Sequence, residues 1–167
     1  TNFKSSRIEK ITDEEWLRHL TLNVTTAFNV TRAVLPLMQK QEYGRIVNVA
    51  SMAGLRVLGQ IGVYAMSKAA VVHMTRAMAL EWGRYGINVN ALCPGYIRTE
   101  INDAHWDTEA GRKLMQMLPR KRIGRLCQAG TAGCLLTHGG EHRDELQPGD
   151  HLVERFVADL RMVHRAF

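Results

Sequence analysis

The sequence predicts an α/β chain with parallel strands, and three observations carry that reading. Arg45–Ala50 and Ile87–Leu92 are short runs rich in β-branched and apolar residues, free of internal breakers. Between them, from Val63 to about Trp82, apolar residues recur at helical spacing. Gly44 and Ser51 bound the first run, and Gly86 breaks the chain just before the second. Strand, helix and strand at this length form a βαβ unit, whose crossover is right-handed and whose strands are parallel.

The elements follow in order. Thr12-Asp13-Glu14-Glu15 reads as a capping box, with Thr12 as the cap and Glu15 reaching back. The helix it opens runs to about Gln39, with Pro36 near its end, where a kink is tolerated. Val24, Phe28, Val30, Val34, Leu35 and Met38 supply its apolar faces, and Val71, Met74, Met78 and Trp82 those of the second long helix. The second strand runs into Cys93-Pro94-Gly95-Tyr96-Ile97-Arg98-Thr99, where Pro94-Gly95 is a turn signal. Beyond it come Trp106 and a helical stretch near Glu109 to Met117.

One constellation carries chemistry. Lys68 follows Tyr64 by four positions, and residues four apart share a helix face. A phenol titrates near ~10 and is a poor proton carrier at neutral pH. An ammonium beside it stabilises the phenolate, and the start of a helix adds a second favourable field. Ser51, at the end of the first strand run, is placed to hold a substrate oxygen while Tyr64 moves the proton. Such a set suits the interconversion of an alcohol and a carbonyl.

The stretch from about Ile8 to Leu126 resembles the short-chain dehydrogenase/reductase family, NAD(P)-dependent oxidoreductases on a Rossmann fold. The residues that carry the resemblance are Asn23 in Leu22-Asn23-Val24-Thr25, Ser51 in Val49-Ala50-Ser51-Met52-Ala53-Gly54, Tyr64 and Lys68, and Asn90-Ala91-Leu92-Cys93-Pro94-Gly95 with Ile97 and Thr99. The wording is most similar to members acting on small alcohols, ketones or acyl-carrier β-keto thioesters. The resemblance implies that Tyr64 is the general acid/base and that Lys68 lowers its pKa and bonds the nicotinamide ribose. It makes Ser51 the substrate-orienting hydroxyl and Asn23 the anchor of a water in the proton relay. It puts Pro94, Gly95, Ile97 and Thr99 against the nicotinamide end, with NAD or NADP as cofactor. It also implies a homo-oligomer formed through the helices at 12–39 and 63–82, and a substrate lid between Ile97 and Leu118.

The match is partial. Dinucleotide sites of this type use a glycine-rich turn after the first strand, and no G-x-G-x-x-G or Thr-Gly-x3-Gly-x-Gly pattern occurs in these 167 residues. The resemblance therefore implies a partial Rossmann-like fold, a doubly wound parallel sheet lacking its N-terminal nucleotide-binding half. Residues 1–126 read as the catalytic part. Residues 127–167 depart from the family and read as an atypical tail, weakly structured or partly helical, from a reading-frame shift near Leu126 or from divergence. Two functional readings follow: an NAD(P)-dependent oxidoreductase, and a catalytically inactive fragment unable to bind the dinucleotide alone.

Composition narrows the classes. With 46% hydrophobic residues the chain suits a globular core rather than disorder. No apolar run approaches a membrane span, and no signal peptide is read before the first helix. Three cysteines at unrelated spacings suit free thiols, so a cytoplasmic protein is expected. The net charge of +6 is concentrated partly at Arg112, Lys113, Arg120, Lys121, Arg122 and Arg125. No recognition motif accompanies it, so no nucleic-acid partner is expected, only a small-molecule substrate. Cys127, Cys134, His138 and His142 are zinc-ligand types at a spacing that fits no common finger, and no metal is expected.

Overall fold

Thr12 opens the first helix by the mechanism its sequence predicts. In the computed structural model, which describes residues 6–128, the Glu15 N–H donates to Thr12 Oγ1 at 3.2 Å. The Thr12 N–H donates to the Glu15 carboxylate at 3.4 Å, closing the capping box. The described residues fall into two units, one through Gly95 and one from Tyr96.

In the first unit the expected long helix is a composite. It consists of α1 (Asp13–Leu20), a π-turn over Thr21–Thr25 and α2 (Thr26–Gln41). The chain stays helical through Pro36, so the change of winding falls at Thr21–Thr25 rather than at the proline. The π-turn has a local cause: the Thr21 carbonyl accepts both the Thr26 N–H and, at 3.0 Å, the Thr26 hydroxyl. Beyond α2, Glu42 turns left-handed at φ 50° and leads into β1 (Gly44–Val49). Then come α3 (Gly62–Trp82) and β2 (Ile87–Leu92). Gly86, at φ 69°, has two reasons to be glycine: its left-handed backbone and the Glu42 carbonyl oxygen, which occupies the place of a Cβ.

The two strands pair in parallel, in register from Gly44↔Ile87 to Val49↔Leu92. They confirm the βαβ reading, with the first strand starting one residue earlier than its sequence suggests. The ladder continues past the strands: Ala50 N–H donates to Leu92 O at 2.8 Å, and Met52 N–H to Pro94 O at 3.0 Å. Ile46, Met78, Ile87 and Val89 form one buried cluster against Leu35, Met38, Met74 and Trp82. Ala50, Val71 and Val72 form a second, against Val24, Ala91 and Cys93. Each fully buried aliphatic side chain contributes about 1.5–3 kcal/mol. Asn48 is buried among them and is satisfied: its Nδ2 donates to Thr75 Oγ1 at 3.0 Å, and Thr75 donates to the Val71 carbonyl at 2.7 Å.

The second unit contains α4 (Asp103–Trp106) and α5 (Glu109–Met117), the latter with the bounds its periodicity predicts. Trp106 is its buried centre, edge-on to Tyr96 at 5.6 Å. Ile97 bridges in parallel to Gly124. The tail expected at 127–167 lies outside the described residues except for Cys127 and Gln128, and with it Cys134, His138 and His142.

Candidate active site

The site is built on the carboxyl ends of β1 and β2 and the first two turns of α3. Tyr64 is the third residue of α3, half-buried, and Lys68 stands one turn later. The Lys68 ammonium lies 5.8 Å from the Tyr64 ring centroid, so the two side chains share a face as their spacing requires. Lys68 Nζ donates at 2.9 Å to the carbonyl oxygen of Val49, the last residue of β1. That bond ties the cation to the strand end. Burial holds Lys68 below the ordinary lysine value, and the nearby Cys93 thiol works in the opposite direction.

Ser51 follows β1 by two residues and is buried. Its hydroxyl oxygen accepts the Ala53 N–H at 3.1 Å, which leaves the hydroxyl hydrogen to donate elsewhere. The Met52–Gly54 turn then presses on α3. A Cβ on Gly54 would lie 2.6 Å from the Lys68 carbonyl carbon and 2.7 Å from Ala69 N. Ser51 and Lys68 are thus connected through backbone as well as through the strand end.

Asn23 occupies the middle of the π-turn. Its Nδ2 donates at 2.9 Å to Ser67 Oγ, and Ser67 donates at 2.8 Å to the carbonyl of Tyr64. His19, one turn before, meets the Tyr64 ring edge-on at 6.4 Å between centroids. Cys93, between β2 and Pro94, is half-buried, and burial raises its thiol above the ordinary value. A bond from the Ser51 backbone and the charges of Arg76 and Lys68 pull it the other way.

Four residues singled out in the sequence, Asn23, Ser51, Tyr64 and Lys68, therefore converge on one region of the first unit. Pro94 joins them through its bond from Met52 N–H. A Cβ on Gly95 would meet only Met52 Sδ, at 3.6 Å, among the described residues. Packing among these residues does not demand glycine there. Ile97 and Thr99 belong to the second unit. There Asn102 Nδ2 donates to Ile97 O at 2.9 Å, and Thr99 N–H donates to Asn102 Oδ1 at 2.8 Å. The Thr99 amide is therefore engaged, and its hydroxyl is the group it can offer. Sequence reasoning did not single out Ser67, Gly54 or His19. Ser67 was accessible from its spacing, since it lies three residues after Tyr64 and on the same face.

The chain belongs to the short chain dehydrogenase family, whose model matches residues 3–110. It is 35% identical over 118 residues to an NAD-dependent glycerol dehydrogenase of Listeria innocua, covering 71% of this chain and 46% of that protein. It is 36% identical over 123 residues to an acetoacetyl-CoA reductase of Shinella zoogloeoides, covering 72% and 50%. The crystal structure of a gluconate 5-dehydrogenase from Burkholderia cenocepacia, in complex with NADP and tartrate, superposes with a TM-score of 0.75 at 30% identity. That match covers 80% of this chain and 53% of the other. The chain thus spans about half the length of these relatives. Its parallel β1–β2 pair and flanking helices are a partial Rossmann-like fold of that family.

Proposed function

We propose that this chain carries the catalytic part of an NAD(P)-dependent oxidoreductase that interconverts an alcohol and a carbonyl. The observation that carries the reading is the placing of the Lys68 ammonium beside Tyr64 and on the last carbonyl of β1, with Ser51 two residues further on. In the reducing direction the Tyr64 hydroxyl gives its proton to the carbonyl oxygen of the substrate. Ser51 donates a hydrogen bond to that same oxygen and fixes its position. Lys68 offsets the charge left on the tyrosine oxygen. In the oxidising direction the same oxygen takes the alcohol proton.

The chain's groups fit the nicotinamide-ribose end of a dinucleotide. Lys68 has three donors and commits one to Val49, and Gly95 lets backbone approach a ligand closely. Lys68, Pro94 and Gly95 would hold that end. A bound nicotinamide supplies or accepts the hydride. The relatives point to both NAD and NADP, and to substrates bearing a secondary hydroxyl or a β-keto group. Exposed apolar residues on the long helices, among them Leu17, Leu22, Val30, Leu37 and Leu80, support association with a second copy.

The test is a titration with NADH and NADPH by nicotinamide fluorescence, followed by a panel of glycerol, gluconate, acetoacetate and acetoacetyl-CoA with the matching redox form. Saturable binding with turnover lost in Tyr64→Phe is expected. Absence of binding at millimolar cofactor would overturn the reading in favour of an inactive fragment.

A further inference from the structure

We infer that Ser67 is a positioning residue for Tyr64, and that its hydroxyl is the link by which the π-turn sets the first turn of α3. The inference rests on Tyr64 as the proton carrier. Ser67 has 0% exposure, the most buried polar side chain described. A serine in a helix interior gains nothing in helix propensity and competes with the helix by bonding backward. Here the backward bond has a specific target. The Tyr64 carbonyl is the one that takes the Lys68 N–H in regular α-helical winding, and the Ser67 hydroxyl adds a second donor to the same oxygen.

The same hydroxyl oxygen accepts Asn23 Nδ2 at 2.9 Å. Its donor is therefore spent on Tyr64 while an acceptor position is filled by Asn23, and rotation of the hydroxyl would break one bond or the other. Because Asn23 lies in the π-turn, this chain transmits the winding there to the peptide that bears the phenol. The edge contact of His19 on the Tyr64 ring, from the turn before, gives the side chain a second stop. An alanine at 67 removes both hydrogen bonds at once and leaves the ring contact. Tyr64 should then rest in a different average position relative to Lys68 and His19, two titratable groups that face it.

The test uses protein labelled with 13C at the tyrosine Cζ, with the Tyr64 signal assigned by its loss in Tyr64→Phe. In Ser67→Ala the Tyr64 signal is expected to move by more than its linewidth while those of Tyr43 and Tyr85 stay in place. Where turnover is measurable, kcat should fall about tenfold to a hundredfold with KM nearly unchanged, as expected for a misplaced catalytic group. If Ser67→Ala does not fold, Ser67→Cys carries the same comparison, since a thiol of similar size is only a weak donor. A folded Ser67 variant with the Tyr64 signal in its wild-type position would overturn the inference, whatever the turnover. Hydride transfer retained in Tyr64→Phe would instead overturn the assignment of Tyr64, whatever the spectrum shows.

Discussion

Replacing Gly54 with alanine tests how the serine turn is seated on α3. The added Cβ would lie 2.6 Å from the Lys68 carbonyl carbon, 2.7 Å from Ala69 N and 2.8 Å from Lys68 O. All three are backbone atoms inside α3, so none can swing aside as a side chain would. Overpacking of this kind costs about 1–3 kcal/mol, and rigid neighbours favour the upper end. Loss of glycine entropy from the unfolded chain offsets about 0.4–1 kcal/mol of that. The net expectation is a destabilisation of about 2 kcal/mol, or a fall of about 10 °C in Tm for a unit of this size. Gly59→Ala is the matched control. A Cβ there meets nothing within 4 Å, and Gly59 does not have a positive φ, so the same exchange should be neutral or mildly stabilising. Thermal unfolding of the two variants side by side decides the matter. If Gly54→Ala were as stable as Gly59→Ala, the close seating of the Met52–Gly54 turn on α3 would be wrong.

Two further expectations concern pH. Lys68 is held below the ordinary lysine value of 10.5 by burial, so between its folded value and 10.5 the unfolded chain binds more protons. Wild-type stability should therefore rise relative to Lys68→Met as pH climbs through that window, read by urea denaturation at successive pH values. Cys93 has the opposite sign. Burial raises its thiol above 9.0, so the folded chain keeps the proton longer, and stability relative to Cys93→Ser should fall as pH rises past 9.0.

Most of the first unit was legible because its signals are local. The Thr12 cap, the two strands and α3, and in the second unit α5, each follow from a few neighbouring residues, and the structure reproduces them within a residue or two. The π-turn was not legible. Thr21–Thr25 has no breaker, and a helix pattern tolerates an inserted residue without changing its composition. Its marker is the Thr26 hydroxyl bonding back to Thr21, a contact that threonine's many other uses conceal. Ser67 was hidden for another reason. Its partners lie at Tyr64, three residues away, and at Asn23, forty-four residues away, and only the second distinguishes it from an ordinary surface serine.

Several features that sequence propensity misses lie at the start of α3. Gln60 holds a left-handed φ of 64° one residue before the Ile61 N-cap of α3. Asn23 sits in a π-turn, Gly54 leaves no room for a side chain, and Lys68 carries a cation into a half-buried site. Each is locally unfavourable by the rules that account for the rest of the unit. A left-handed non-glycine residue alone costs about 1–2 kcal/mol. All four border the first two turns of α3. Left-handed non-glycine residues also stand at Glu42 and Lys121, and glycines seated against backbone at Gly86 and Gly111, so such costs are met at several points, and the start of α3 is where four of them coincide. At the start of α3 these constraints fall on the backbone that bears Tyr64 and Lys68.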